Sequence, residues 1–198
     1  KNKLFLILLI TIPTLTVGQN NAVDFPRDTS FSVWSAGEKI KKEFPQAVSV
    51  KEFTSLKIQN EKNTVYYSLN NRDLHADIFY PDSKTENKIP AVILIHGGGW
   101  ASGDKSHLVP MAQMIALHGF FTATVEHRLS PEAKYPAAIT DLKTAVKWVK
   151  SNAEKYNIDT TKIAVLGCSS GATLATFIGT TGQNPKFKSH EWKDKVSD

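Results

Sequence analysis

The segment that most constrains the fold of this chain is Gly167-Cys168-Ser169-Ser170-Gly171. A short apolar run, residues 163–166, precedes it, and a stretch of small residues with helical character, 172–179, follows it. This order predicts a strand, a sharp turn and a helix, with Ser169 at the apex of the turn. The two glycines permit a tight turn because they carry no Cβ. The pattern is typical of a nucleophile elbow, where the helix N-terminus behind the serine favours a developing negative charge.

Strand and helix patterns alternate through the central part of the chain. They predict strands over 91–95, 121–125 and 163–166, and helices over 109–118 and 136–150. Such alternation is typical of a parallel sheet covered by helices on both faces, so the expected class is α/β. Upstream, residues 48–80 have strand patterns with a turn signal at 70–73, which predicts an antiparallel N-terminal edge of the sheet. A short helix is expected over 34–44, ended by Pro45.

A second chemically informative segment is His96-Gly97-Gly98-Gly99-Trp100, directly after the strand that ends at Ile95. Three successive glycines expose backbone N–H groups, the donors that acyl-transfer chemistry needs where a carbonyl oxygen becomes an anion. The alternatives are a flexible turn and a phosphate-binding loop. The second alternative is disfavoured because Gly-x-Gly-x-x-Gly is absent and no Lys-Ser/Thr directly follows a glycine of this segment.

The N-terminus has the composition of an export signal. Lys1 and Lys3 precede a short apolar run, 4–10, and small residues lead to an expected cleavage site near Gly18. The apolar run is shorter than the ~20 residues a membrane span requires, which disfavours an anchor helix. We therefore expect a signal peptide over 1–18, an extension over 19–47, an α/β domain over 48–198, and secretion or periplasmic export without a membrane span.

Composition excludes several other classes of function. The formal net charge of +5 is small, and no basic run is interleaved with aromatic residues, so nucleic-acid binding is not expected. Cys168 is the only cysteine, which excludes an internal disulfide framework. We expect its side chain to be a small buried residue beside Ser169, not a catalytic thiol. No histidine pair has convincing metal-ligand spacing, so neither a metal nor another cofactor is expected.

A third segment carries a family resemblance. It runs from Glu126-His127-Arg128-Leu129-Ser130-Pro131-Glu132 through Tyr135-Pro136-Ala137-Ala138 to Asp141. With the elbow and the glycine loop, it resembles the α/β-hydrolase superfamily, and more narrowly the His-Gly-Gly-Gly esterases related to hormone-sensitive lipase and to bacterial feruloyl and acyl-sugar esterases. Many of those proteins have a tyrosine where this chain has His127. The resemblance runs from about residue 48 to residue 179, and the three motifs occur within this range in the family's order.

The resemblance implies roles for the matching residues. Ser169 would be the nucleophile, and the N–H groups of Gly98, Gly99 and Ser170 would form the oxyanion hole. His96 would brace the glycine loop, and Arg128 would make an ion pair near Glu132 or Asp141. The residues that support the motifs are His96, Gly97, Arg128, Gly167 and Gly171.

The acid and the histidine of a catalytic triad are expected after the serine in this plan. Only His190 follows Ser169, in a lysine-rich tail that we interpret as a solvated loop or the start of an insertion, and Asp194 and Asp198 have no more support. We therefore expect a C-terminally truncated fragment that lacks the final strands of the sheet and is inactive and aggregation-prone on its own.

The leading functional hypothesis is an exported serine carboxylester hydrolase that acts through an acyl-enzyme on small or carbohydrate-linked esters. A prolyl-peptidase-like serine hydrolase and a non-catalytic binding protein with the same fold remain alternatives. Acyl specificity, alcohol specificity and oligomeric state stay open.

Overall fold

The computed structural model describes residues 28, 30–82, 86–182 and 184–191. The predicted signal peptide, together with Asp194 and Asp198, lies outside the described residues. Within the described ranges, no helix combines the length and the apolar character that crossing a membrane requires.

The described chain folds as alternating strands and helices, with bounds close to those predicted. The elements are α1 (Val33–Glu43), β1 (Ile58–Leu69), β2 (Arg72–Pro81), β3 (Ile89–Ile95), a short 3-10 helix (Lys105–Leu108), α2 (Val109–Leu117), β4 (Phe121–Val125), α3 (Ala137–Ser151), β5 (Ile158–Gly167) and α4 (Ser170–Thr180). Local sequence signals explain where α1 begins and where α2 begins and ends. Ser32 caps α1 with a capping box, Pro110 lies in the first turn of α2, and Gly119 follows that helix with φ 92°.

The strands form one mixed sheet in the order β1-β2-β4-β3-β5. β3 pairs in parallel with both β4 and β5, whereas β1 pairs antiparallel with β2, and β2 antiparallel with β4. This confirms the predicted α/β class and its antiparallel N-terminal edge. With helices on both faces, the sheet is that of an α/β-hydrolase.

The core lies on both faces of the central strands. On one face, Ile93 and Ile95 pack with residues of α3 and α4, including Leu142 and Leu174. On the other face, Val92, Leu94 and Phe79 pack with residues of α2, including Ala112 and Ala116. Because successive side chains of β3 point to opposite faces, its continuous apolar run supplies both clusters.

The prediction of strand structure from Val48 onward is wrong for its first part. Residues 48–57 form no strand, and β1 begins only at Ile58. Val48 and Val50 are exposed because this segment pairs with no described strand. At the other edge, β5 begins at Ile158, earlier than predicted, and no described strand lies beyond it.

A buried ion pair ties the antiparallel edge to the 3-10 helix. Lys105 Nζ donates to Asp77 Oδ1 over 2.8 Å and to Asn63 Oδ1 over 2.9 Å. The Asn63 N–H also donates to Asp77 Oδ1, at a bulge where Asn63 has φ 53°. The Lys105 and Asp77 side chains are only 9% and 5% exposed, so neither charge can be solvated by water instead.

We predict that Asp77→Ala in the natural full-length protein lowers the free energy of unfolding by about 3–5 kcal/mol, because it leaves the Lys105 ammonium buried without its counter-charge. The matched control is Glu38→Ala, which removes the exposed Lys41–Glu38 pair and should cost less than about 1 kcal/mol. Urea denaturation measures both. Equal losses of unfolding free energy in the two variants would contradict the stabilising role of the buried Lys105–Asp77 pair.

Candidate active site

Three loops meet at one edge of the sheet. Ile95 at the end of β3 is in register with Val125 at the end of β4 and with Gly167 at the end of β5. The segments that follow these strands are the glycine loop, the segment beginning at Glu126, and the serine elbow. The parallel register therefore brings together the three motifs that the sequence predicts to carry chemistry.

Ser169 lies at the apex of the predicted sharp turn. Its φ and ψ are 53° and −123°, and α4 begins at the next residue. A non-glycine residue rarely adopts such a positive φ, which costs on the order of 1–3 kcal/mol and is typical of functional sites. The Ser169 side chain is exposed, with the first turn of α4 behind it.

The glycines around the elbow are required by close packing. A Cβ on Gly167 would overlap the carbonyl group of Gly171, and a Cβ on Gly171 would overlap the carbonyl oxygens of Ile95 and His96. The Cys168 N–H donates to Ile95 O over 3.2 Å, which joins the elbow to the end of β3.

The glycine loop lies directly against the serine. A Cβ placed on Gly97 would lie 3.2 Å from Ser169 Cβ and 2.8 Å from Cys168 O. Gly98 and Gly99 have φ of 130° and 62°, in the region that favours glycine. The loop is closed by hydrogen bonds to Gly98 O from the N–H groups of Ala101 and Ser102 and from Ser102 Oγ.

The backbone N–H groups of the glycine loop and of the first turn of α4 are candidate anion donors. Within the described residues, the N–H groups of Gly98, Gly99 and Ser170 donate to no protein acceptor. Ser170 opens α4, so its N–H belongs to the unpaired first turn of a helix, where negative charge is favoured. The arrangement can stabilise an oxyanion at the serine.

His96 contacts the loop it precedes. Its imidazole is 1% exposed, and its Nδ1 lies 2.8 Å from Gly97 O. A carbonyl oxygen can only accept, so Nδ1 carries the proton in this hydrogen bond. This contact supports the bracing role that the resemblance implied.

Arg128 makes its predicted ion pair with Asp141. The guanidinium Nη2 donates to Asp141 Oδ1 over 2.7 Å, and Nε donates to Oδ2 over 2.9 Å. Glu132, the other candidate partner, instead accepts from Arg72 Nε and from the Leu129 N–H. The Asp141 carboxylate is fully buried, so the pair fixes the segment after β4 onto α3.

The interpretation of His190 as part of a solvated loop is wrong. Its imidazole is half-buried, stacks on Tyr67 with ring centroids 4.4 Å apart, and places Nε2 2.8 Å from Asp141 Oδ1. Burial raises the pKa of Asp141, but hydrogen bonds from His190 and Arg128 and the Arg128 charge outweigh burial and hold that pKa below its usual value. The sequence could not show the burial of His190, because it depends on contacts with distant residues. His190 is 49 positions from Asp141 and 62 positions from Arg128, whose Nη2 lies 3.4 Å from His190 Nε2.

Within the described residues, no imidazole bonds to Ser169. His190 is engaged with Asp141, and the Ser169 hydroxyl makes no hydrogen bond to any described residue. The described part of the chain thus brings Ser169 and the glycine loop together, but it offers no imidazole to the Ser169 hydroxyl.

The prediction that Cys168 is buried is wrong, since its thiol is free and exposed. In the described part of the chain, β5 is an edge strand, so no described strand covers the elbow on its outer side. Sequence reasoning also missed the contacts that hold the glycine loop from outside. These are the stacking of His127 on His96 and the hydrogen bonds from Ser130 to Trp100 O.

A serine elbow that faces a glycine loop at the carboxyl edge of this sheet defines an esterase-type α/β-hydrolase. The family model described as BD-FAE matches residues 76–197, more than half of the chain. The chain therefore belongs to the BD-FAE family.

Individual relatives agree with this assignment. The carboxylesterase NlhH of Mycobacterium tuberculosis is 34% identical over 116 residues, which cover 58% of this chain and 36% of NlhH. Among solved structures, esterase 2 of Thermogutta terrifontis with bound propionate is 27% identical, has a TM-score of 0.60, and is matched over 72% of this chain and 51% of its own. The same esterase phosphorylated by paraoxon is 26% identical, with a TM-score of 0.59 over 70% of this chain and 52% of its own. The chain thus spans about a third of the length of NlhH and about half of esterase 2.

We predict that the stabilising effect of Asp141 depends on pH. Because its folded-state pKa is lowered, its contribution is complete above the unfolded-state value of ~3.9 and is lost as the pH falls through the folded-state pKa. In the natural full-length protein, Asp141→Asn should lower the free energy of unfolding by about 3–5 kcal/mol at neutral pH. This gap in unfolding free energy between variant and wild type should narrow below pH ~4.

Urea denaturation at a series of pH values measures this gap. The control is Asp73→Asn, which changes an exposed carboxylate and should give a small difference at every pH. A gap for Asp141→Asn that stays constant from neutral pH to pH ~3 would contradict the assignment.

Proposed function

We propose that this chain is the nucleophile-bearing part of an exported serine carboxylester hydrolase that acts on small or carbohydrate-linked esters through an acyl-enzyme. The observation that carries the proposal is the contact between the elbow and the glycine loop, where a Cβ on Gly97 would lie 3.2 Å from Ser169 Cβ. Further support comes from the N–H groups of Gly98, Gly99 and Ser170, which have no acceptor among the described residues.

In the proposed reaction, Ser169 Oγ attacks the ester carbonyl carbon and loses its proton to a general base. The carbonyl oxygen becomes an anion and accepts hydrogen bonds from the N–H groups of Gly98, Gly99 and Ser170. The alcohol leaves with a proton, and water then attacks the acyl-serine to release the carboxylic acid. Loss of one oxyanion donor typically costs a factor of about 10²–10³ in kcat, so these donors would supply a large part of the rate.

The general base would come from a residue outside the sequence 1–198. Support comes from the engagement of His190 with Asp141, and from the chain's coverage of only about half of esterase 2. In this class of hydrolase the acid and the histidine follow the serine in chain order. We propose that both lie C-terminal to residue 198 in the natural protein.

The proposals of export and of a substrate class are both supported by features of the amino-acid sequence. The charged and apolar N-terminal segment favours a signal peptide, and the resemblance to acyl-sugar and feruloyl esterases favours esters met outside the cytoplasm. The relative NlhH is named as a carboxylesterase, and this supports ester hydrolysis as the reaction of the present protein.

We predict that Ser169→Ala in the natural full-length protein lowers kcat for 4-nitrophenyl acetate by about 10⁴–10⁶-fold, because the nucleophile is lost while the fold stays intact. The assay is steady-state release of 4-nitrophenol, with thermal unfolding as a check on folding. Ser68→Ala, which changes an exposed serine of β1, is the matched control and should keep full activity. A folded Ser169→Ala protein with wild-type turnover would remove Ser169 from the mechanism.

A further inference from the structure

The glycine loop lacks side chains that could hold its conformation. Between His96 and Trp100 the chain consists of three glycines, so packing cannot fix the direction of the Gly98 and Gly99 N–H groups. The hydrogen bonds to Gly98 O close the loop on itself, but they do not attach it to the sheet. Besides the elbow, which packs against Gly97, residues 127–130 attach the loop to the segment that leaves β4.

The first attachment is at the start of the loop. The His127 ring stacks on the His96 ring, with centroids 4.6 Å apart and planes inclined by 23°, and the two residues are 2% and 1% exposed. On another side, the His107 ring meets His96 edge-on at 5.9 Å. The orientation of His96 fixed in this way directs its Nδ1 at Gly97 O, and Gly97 lies against Ser169.

The second attachment is at the end of the loop. Trp100 O accepts from the Ser130 N–H over 2.8 Å and from Ser130 Oγ over 3.2 Å. Trp100 has φ 62°, a conformation that a tryptophan keeps only when its surroundings impose it. Directly after Gly99, the turn bonds to Gly98 O and the two hydrogen bonds from Ser130 together hold Trp100 in this conformation.

We infer that His127 and Ser130 are positioning residues that clamp the two ends of the glycine loop and so aim the Gly98 and Gly99 N–H groups at the developing oxyanion. This inference rests on the proposed ester hydrolysis. Neither residue holds a reacting atom. Since the oxyanion forms only in the transition state, loss of the clamp should lower kcat and leave KM nearly unchanged.

The test uses His127→Ala, His127→Phe and Ser130→Ala in the natural full-length protein, with active sites counted by paraoxon titration. His127→Ala should lower kcat at least about tenfold and should change KM by no more than about twofold. The loss in kcat should be smaller than the factor of ~10²–10³ that removal of a whole oxyanion donor costs. His127→Phe keeps a flat ring against His96 and should restore most of the rate. Ser130→Ala keeps the backbone bond to Trp100 O, so its loss should be smaller, about two- to tenfold.

The controls remove the same side chains away from the loop. His118→Ala changes an exposed histidine at the end of α2, and Ser151→Ala removes a hydroxyl that donates to a carbonyl of α3. Both should keep wild-type kcat. The double variant of His127 and Ser130 should lose less than the product of the two single losses, because both residues act on one loop.

A second readout does not need turnover. In a Ser169→Ala background, the amides of Ala101 and Ser102, which donate to Gly98 O, should exchange hydrogen faster after His127→Ala or Ser130→Ala, while β3 amides stay unchanged. Faster exchange in a protein that hydrolyses no ester would support the clamp and reject the proposed function. Ester hydrolysis with unchanged kcat in His127→Ala and Ser130→Ala, or no rescue by His127→Phe, would overturn the clamp.

Discussion

The structure depends on the register between β3 and its two parallel neighbours. Ile95 lies opposite both Val125 and Gly167, so three consecutive strand ends stop at one level of the sheet. A shift of one residue along either pairing would separate the glycine loop from the elbow and would move each side chain of the strand to the opposite apolar cluster. The two apolar clusters, one on each face of β3, hold this register. The site is thus positioned by the packing of side chains that take no part in its chemistry.

The same arrangement explains why the elbow tolerates a costly backbone conformation. Ser169 has φ 53°, and neither Gly167 nor Gly171 has space for a side chain. A free peptide would relax from this geometry at once, but here the elbow lies between a buried strand and a helix that packs into the core through Leu174 and Ile178. Burial of those side chains, worth about 1.5–3 kcal/mol each, is enough to impose a strain of ~1–3 kcal/mol.

Much of the fold could be predicted from the sequence because its signals are local. The apolar run that ends at Ile95, the helical period of α3 and the glycines of the elbow each have one physical interpretation, and their order along the chain determines the α/β class. The glycine loop could be predicted to face Ser169 because both segments follow parallel strands.

What could not be predicted depends on contacts between distant residues or on exposure at an edge. His190 stands in a polar tail, yet it stacks on Tyr67 of β1 and bonds to Asp141 of α3. Cys168 has a small side chain of a type that is often buried, yet it lies beside the edge strand and is exposed. The stacking of His127 on His96 has no sequence signal, because two histidines 31 positions apart show no pattern until the register of β3 and β4 aligns them.

The central claim is that Ser169 is a nucleophile with an oxyanion site beside it. The most direct measurement is to treat the natural full-length protein with paraoxon and to locate the modified residue by peptide mass spectrometry. In that reaction the serine oxygen bonds to phosphorus, 4-nitrophenolate leaves, and the diethylphosphoryl group remains on the protein. We expect one adduct, on the peptide that contains Ser169, together with loss of esterase activity. Loss of activity with the adduct on another residue, or full activity with Ser169 modified, would contradict it.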